Sequence, residues 1–191
     1  MLYSSLVEKA MRFAAVAHEA QLRKGTDIPY ITHLAGVALI LTRDGFGDDE
    51  VLAAALLHDA VEDAGIATGE IERLFGPRVA HLVTAVSEVK RDDTGASLPW
   101  RQRKEEHLSR LGASPVEARA ITLADKLHNL GTLVDDLASE RTAWERFRST
   151  PSELIWYHDA VIETAGDAPR LARLAADCRE MLEKLRELVP R

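Results

Sequence analysis

The chain has no means of forming an internal disulfide, because Cys178 is its single cysteine in 191 residues. A lone cysteine, read as a small apolar residue in a late helix, suits a reducing compartment, and a cytoplasmic protein is expected. No apolar run is long enough to span a bilayer, and Glu8, Lys9 and Arg12 interrupt any signal-like core near the start. No membrane partner is therefore expected. Positive charge is scarce too: 24 Lys and Arg face 31 Asp and Glu, a formal net charge of −7. A DNA or RNA polymer needs a basic surface, which this balance excludes, whereas a small phosphate ester needs only a few placed cations. A Gly-rich phosphate loop, a cysteine zinc cluster and a Ser-His-Asp nucleophile signature are all missing. So is any stretch alternating with period two, which removes the sheet classes. Aromatics are few, and Trp100, Trp144 and Trp156 are assigned to packing.

What is present is helix. Leu6, Val7, Met11, Ala14, Ala15 and Ala17 form one stripe in a first helix over about 4–21. A turn through Lys24, Gly25 and Pro29 leads to a helix from Thr32 that carries His33. Asp48, Asp49 and Glu50 supply an acidic first turn to the next helix. Its body, VLAAALL, is apolar all round, as befits a helix at the centre of a fold. Helices over about 69–75, 77–89 and 99–111 follow, with residues 90–98 left as a loop. Ser114 and Pro115 then open a helix containing ITLADKLHNL, and stretches of about 140–148, 151–165 and 168–188 complete the chain. The fold class expected is all-α, with residues 1–191 forming one domain.

The chemistry concentrates in His58-Asp59-Ala60-Val61-Glu62-Asp63, at the end of the most apolar helix. Four ionisable groups in six residues are costly to bury unless they are paired or bind a cation. Helical geometry places Glu62 one turn after His58 and Asp63 one turn after Asp59. Imidazole nitrogen with carboxylate oxygen suits a borderline divalent ion. His33 and Asp125, each set in an apolar run, offer further ligands to such a site. Lys126 is read as a surface ion pair, with pointing at the site as the second option, and His128 is left open between lining the pocket and a structural role, whereas His18, His81, His107 and His158 receive structural or solvated roles.

HEAQLRKGTDIPYITH, LLHDAVEDAG, LFGPRVAHLVTAVSEV and LADKLHNLGTL together resemble the hydrolase domain of the RelA/SpoT homologues, over roughly residues 10–135. Among these the chain is similar to the stand-alone small alarmone hydrolases. The resemblance implies an HD-domain helical bundle that removes the 3′-pyrophosphate from guanosine tetra- or pentaphosphate, giving GDP or GTP. It implies one divalent ion per chain, usually manganese, on His33, His58, Asp59 and Asp125. Glu62 and Asp63 match the acidic pair that orients and activates water. Arg23 and Lys24 match cations near the nucleobase and phosphates, and Asn129 and Thr132 match polar contacts to the nucleotide. One position departs from the pattern: Gly131 stands where an arginine is common. Arg146 and Arg148 are read as solvated helix charges, with reach toward substrate phosphates as the second option. Two other functions stay open at this point. One is an HD phosphohydrolase for another nucleotide (an adenosine alarmone, NADPH or a nucleoside phosphate), and the other is a nucleotide-binding regulator without turnover. Homo-oligomerisation and functional pairing with an alarmone synthetase are open as well.

Overall fold

A computed structural model of the chain describes residues 4–91, 94–139, 144, 146 and 149–189. These residues form nine α-helices: α1 (Ser5–Ala17), α2 (Ile31–Arg43), α3 (Asp49–Leu57), α4 (Thr68–Phe75), α5 (Pro77–Val86), α6 (Trp100–Leu111), α7 (Val116–Ser139), α8 (Pro151–Ala165) and α9 (Ala172–Leu188). A 3-10 turn, Pro169–Leu171, precedes α9. The helix expected at about 140–148 lies largely outside the described residues. No helix among them is long and apolar enough to cross a membrane.

Local chemistry fixes most boundaries. Ser4 caps α1 by accepting the Val7 N–H at 3.2 Å, and Asp48 accepts the Glu50 and Val51 N–H groups at the start of α3. Thr150 and Glu153 form a reciprocal capping box on α8. Val51, Ala53, Ala54, Ala55, Leu56 and Leu57 of α3 are all buried, because α1, α2, α5 and α7 surround that helix. α7 is the second organising element: it runs between α2, α5, α8 and α9. Its buried Ala120, Ile121, Leu123 and Ala124 face those neighbours, which sets Asp125 at the edge of the core.

Leu57 is fully buried and lies one residue before the ionisable cluster. Truncating it to alanine removes apolar contact and leaves a void, so Leu57→Ala is expected to lower the unfolding free energy by about 2–5 kcal/mol. Urea denaturation checks this, and a loss under about 1 kcal/mol would show that α3 is not the packed centre.

One local expectation fails. α3 ends at Leu57, and residues 58–63 continue as successive turns rather than as helix. The Ala60 N–H closes onto the Leu57 carbonyl at 2.9 Å, a tighter loop than the α-helical one. Gly65 then adopts φ 68°, a left-handed conformation that suits glycine, and the chain swings away to α4. One helical spacing survives: Asp63 N–H still bonds to the Asp59 carbonyl at 2.8 Å.

Candidate metal centre and nucleotide cavity

Three elements converge on the site. α2 brings His33 in its first turn, the C-terminus of α3 brings His58 and Asp59, and the middle of α7 brings Asp125. Ligand atoms of His33, His58 and Asp125 all lie within 4.8 Å of one another. Asp59 adjoins them, its Oδ2 3.1 Å from His58 Nε2 and 3.8 Å from His33 Nε2. Asp125 Oδ1 is 3.2 Å from His33 Nε2 and 3.9 Å from His58 Nε2.

The donor set fits a cation. His33 Nε2 and His58 Nε2 are buried and have no hydrogen-bond partner among the described residues, although carboxylate oxygens stand beside them. Two buried nitrogens left this way normally cost free energy, and a shared cation removes the cost. His58 is set up for it: its Nδ1 donates to the Ala55 carbonyl at 2.7 Å, which leaves the lone pair on Nε2. Burial alone would raise the Asp125 carboxyl, but the Lys126 ammonium and the His33 ring hold it well below the usual carboxylate range. Burial would likewise lower His58, yet the Asp59 carboxylate outweighs it and raises the imidazole above its ordinary value. The carboxylates thus favour positive charge at His58, whereas burial holds His33 below its ordinary value and leaves it a neutral donor.

A cavity of about 170 Å³ opens from this cluster, lined among others by Tyr30, Glu62, Asp63, Glu88, Lys104 and Tyr157. Glu62 sits half-buried 3.2 Å from Lys90 Nζ, and its Oε2 accepts the Glu88 N–H at 3.2 Å. Burial, and after it the Glu88 carboxylate, raises the Glu62 pKa against the pull of Lys90. Asp63 accepts from Lys90 Nζ at 2.7 Å and from Gln21 Nε2 at 3.2 Å. The acidic pair is thus tied to one ammonium at the rim of the cluster.

On the other side, the loop after α1 is closed by an isolated bridge between Leu22 and Pro29 and by Arg23 N–H on the Ile28 carbonyl at 2.8 Å. It holds the Arg23 guanidinium against α7, donating to Asn129 Oδ1 at 2.7 Å and to Thr132 Oγ1 at 3.3 Å. Arg23 from one motif and Asn129 and Thr132 from another therefore meet in space. Asn129 Nδ2 also donates to Asp125 Oδ1 at 2.6 Å, so one amide joins the Arg23 side to the metal cluster. Lys24 is exposed on the same turn. Arg146 packs its stem against Gly25 and donates to Asp136 at 2.7 Å, so it belongs to this loop and is not a solvated charge. Arg148 lies outside the described residues.

Several participants were not legible as such in the sequence. Lys126, expected in a surface ion pair, is only partly exposed: its ammonium lies 2.5 Å from Asp125 Oδ2 and 5.4 Å from the centre of the Tyr157 ring. An ammonium set in the apolar run LADKL was the available signal. Tyr30, one helical turn before His33, donates its hydroxyl to Asp59 Oδ2 at 2.5 Å. His18 backs it, with ring centres 5.2 Å apart. His107 is structural in that its Nδ1 meets the Tyr157 hydroxyl at 3.0 Å, but it also lines the cavity. Burial and the nearby Lys126 push its pKa down to about 4. Glu88, Lys90 and Lys104 come from two further elements, and nothing local to their segments marks them. His128 Nδ1 lies 3.1 Å from His33 Nδ1, behind the cluster. Burial and His33 push its pKa down to about 4, so the ring is neutral.

Comparison with known proteins fits this geometry. Residues 10–148 match the family described as HD domain. The mouse guanosine-3′,5′-bis(diphosphate) 3′-pyrophosphohydrolase MESH1 is 42% identical over 127 residues, covering 65% of this chain and 68% of the relative. A Myxococcus xanthus GTP pyrophosphokinase is 33% identical over 141 residues, covering 72% of this chain but 18% of that longer protein. A solved structure described as a metazoan orthologue of SpoT that hydrolyses ppGpp superposes with a TM-score of 0.78 at 31% identity, covering 97% of this chain and 98% of its own. The all-helical fold and the histidine–aspartate cluster are what such a relationship requires, and the chain belongs to the HD-domain family as a relative of MESH1.

Proposed function

We propose that the chain is a metal-dependent 3′-pyrophosphohydrolase of guanosine tetra- and pentaphosphate, releasing pyrophosphate and GDP or GTP in a cytoplasmic setting. One observation carries the reading: two buried imidazole nitrogens without hydrogen-bond partners face two carboxylates at the end of a polar cavity, as a cation site does. His33, His58, Asp59 and Asp125 would hold one divalent ion, with manganese as the working assignment. When bound, such an ion lowers the pKa of a coordinated water toward neutrality and polarises a phosphoryl oxygen.

The remaining chemistry belongs to the chain. Glu62, whose carboxyl is raised by burial, is the group that takes a proton from the attacking water, and Asp63 orients that water while bound to Lys90 and Gln21. Water oxygen bonds to phosphorus, the bond to the ribose 3′-oxygen breaks, and that oxygen leaves as a hydroxyl by taking up a proton equivalent to the one Glu62 accepted from the water. Lys90 offsets the repulsion that two carboxylates would exert on an incoming phosphate. Arg23 and Lys24 supply cations on the opposite rim, and Asn129 and Thr132 set the orientation of the Arg23 guanidinium. Tyr30 fixes the Asp59 carboxylate.

Because Arg23 binds and does not react, Arg23→Ala is expected to raise KM for guanosine tetraphosphate about tenfold or more with a smaller change in kcat. Steady-state kinetics check this, and an unchanged KM would remove Arg23 from the nucleotide site.

A second reading, another nucleotide on the same centre, is favoured by Gly131. The family pattern carries a cation there, and around this glycine the space a side chain would fill is open. Competition decides between the two. With manganese present, kcat/KM for guanosine tetraphosphate should exceed that for NADPH and for adenosine tetraphosphate. The reverse order would move the assignment to the other nucleotide.

A further inference from the structure

His58 and His33 offer their Nε2 atoms to the same cluster, but the chain fixes the two rings differently. A neutral imidazole carries one N–H, and its position decides which nitrogen keeps a lone pair. For His58 the Ala55 carbonyl settles the matter, since a carbonyl only accepts. For His33 the partner at Nδ1 is another histidine, His128, at 3.1 Å, with ring centres 4.8 Å apart and 71° between planes. His128 Nδ1 is able to accept or donate. If it donated, the His33 hydrogen would sit on Nε2 and occupy the direction of the cluster. If it accepts, His33 Nε2 keeps its lone pair there.

The second observation lies on α2. Gly36 sits one turn after His33, in the interior of a helix, where glycine is among the least favourable residues. A Cβ at this position would come within 3.0 Å of His128 Cδ2 and Nε2. The ring therefore occupies the volume that any side chain at position 36 would need. A helix interior that gives up its side chain for one ring points to a ring whose place is set.

We infer that His128 is a positioning residue of the metal centre: it accepts the His33 Nδ1–H so that His33 Nε2 faces the cluster as a ligand, and Gly36 makes room for it. The inference rests on the metal reading proposed above. It gives His33 the kind of outer partner that His58 finds in a backbone carbonyl. Loss of such a partner typically weakens metal affinity about 10–100-fold.

The test is manganese affinity of the full chain, stripped of metal and titrated against a chelating indicator, with thermal unfolding in chelator as the control. His128→Leu and Gly36→Ala are each expected to weaken affinity about 10–100-fold. For Gly36→Ala the better helix propensity of alanine is opposed by displacement of the His128 ring, so its unfolding in chelator is measured beside its affinity and the affinity is read under conditions where the variant is fully folded. His128→Asn places an oxygen where Nδ1 was and should bind close to the unsubstituted chain. Adding Gly36→Ala to His128→Leu should cost nothing more, since both remove the same contact. Wild-type affinity in His128→Leu and Gly36→Ala would overturn the inference while leaving the metal site standing. So would a His128→Asn variant as weak as His128→Leu, which would reduce the ring to a packing role. An unsubstituted chain that binds no manganese would overturn the metal reading, and this inference with it.

Discussion

Asp59→Ala is expected to abolish manganese binding and pyrophosphate release together. The carboxylate is one of two that face the buried Nε2 atoms, and it lies 3.1 Å from His58. It is also the acceptor for the Tyr30 hydroxyl, so its removal leaves that partly buried phenol without its anion. Loss of the ion takes away several kcal/mol of charge stabilisation in the transition state, a fall in turnover of about 10⁴-fold or more. The fold should persist, because residue 59 lies in the turns after α3 while Leu56 and Leu57 hold the core. Calorimetric titration with manganese, run beside a turnover assay, separates the outcomes. Full occupancy with lost turnover would make Asp59 an orienting residue and leave His33, His58 and Asp125 as the ligand set.

Glu62→Gln is expected to separate what Asp59→Ala joins: turnover falls about 10²–10⁴-fold while manganese stays bound. The amide keeps the size of the side chain and can still face Lys90, but it cannot take a proton. The pH profile offers an independent check. Burial first, and then the Glu88 carboxylate, raises the Glu62 pKa above the ordinary glutamate value. A base must be deprotonated to act, so kcat/KM should fall as pH drops through that raised pKa, and the acid limb should lie above the ordinary glutamate range. In Glu62→Gln that limb should vanish with the rate. An active variant with an unchanged limb would transfer the proton-accepting role to Asp63.

How far the sequence carried this account depends on how local each signal is. The helices were legible because apolar residues repeat with a period near 3.6 in α1, because the body of α3 is apolar on every face, and because the acidic turn at Asp48 to Glu50 and the Ser114-Pro115 pair mark starts. The HD-type cluster was legible because charges at His58, Asp59 and Asp125 interrupt apolar runs, where an ionised group demands a partner. Extending α3 through Asp63 was less successful. Periodicity continues on paper, but Gly65 and the tight Ala60–Leu57 bond turn the chain out of helix. Lys126 went astray for a related reason: next to an acid on α7, a lysine reads as a surface pair, and only the packing of α8 behind it, through Tyr157, shows it enclosed. The parts of the cavity contributed by Tyr30, Glu88 and Lys104, and the Lys90 bridge to Glu62 and Asp63, depend on how separate elements meet, and no window of sequence contains that information. Gly36 is the extreme case, a glycine explained only by a ring from α7, 92 positions away.

The most direct test of the account is to add manganese stepwise to the metal-stripped chain in the presence of guanosine tetraphosphate and to identify the products. The account predicts pyrophosphate and GDP in equal amounts, rising with manganese to saturation at one ion per chain and ceasing on chelation. Release of inorganic phosphate alone, or hydrolysis that continues with all divalent metal chelated, would contradict it.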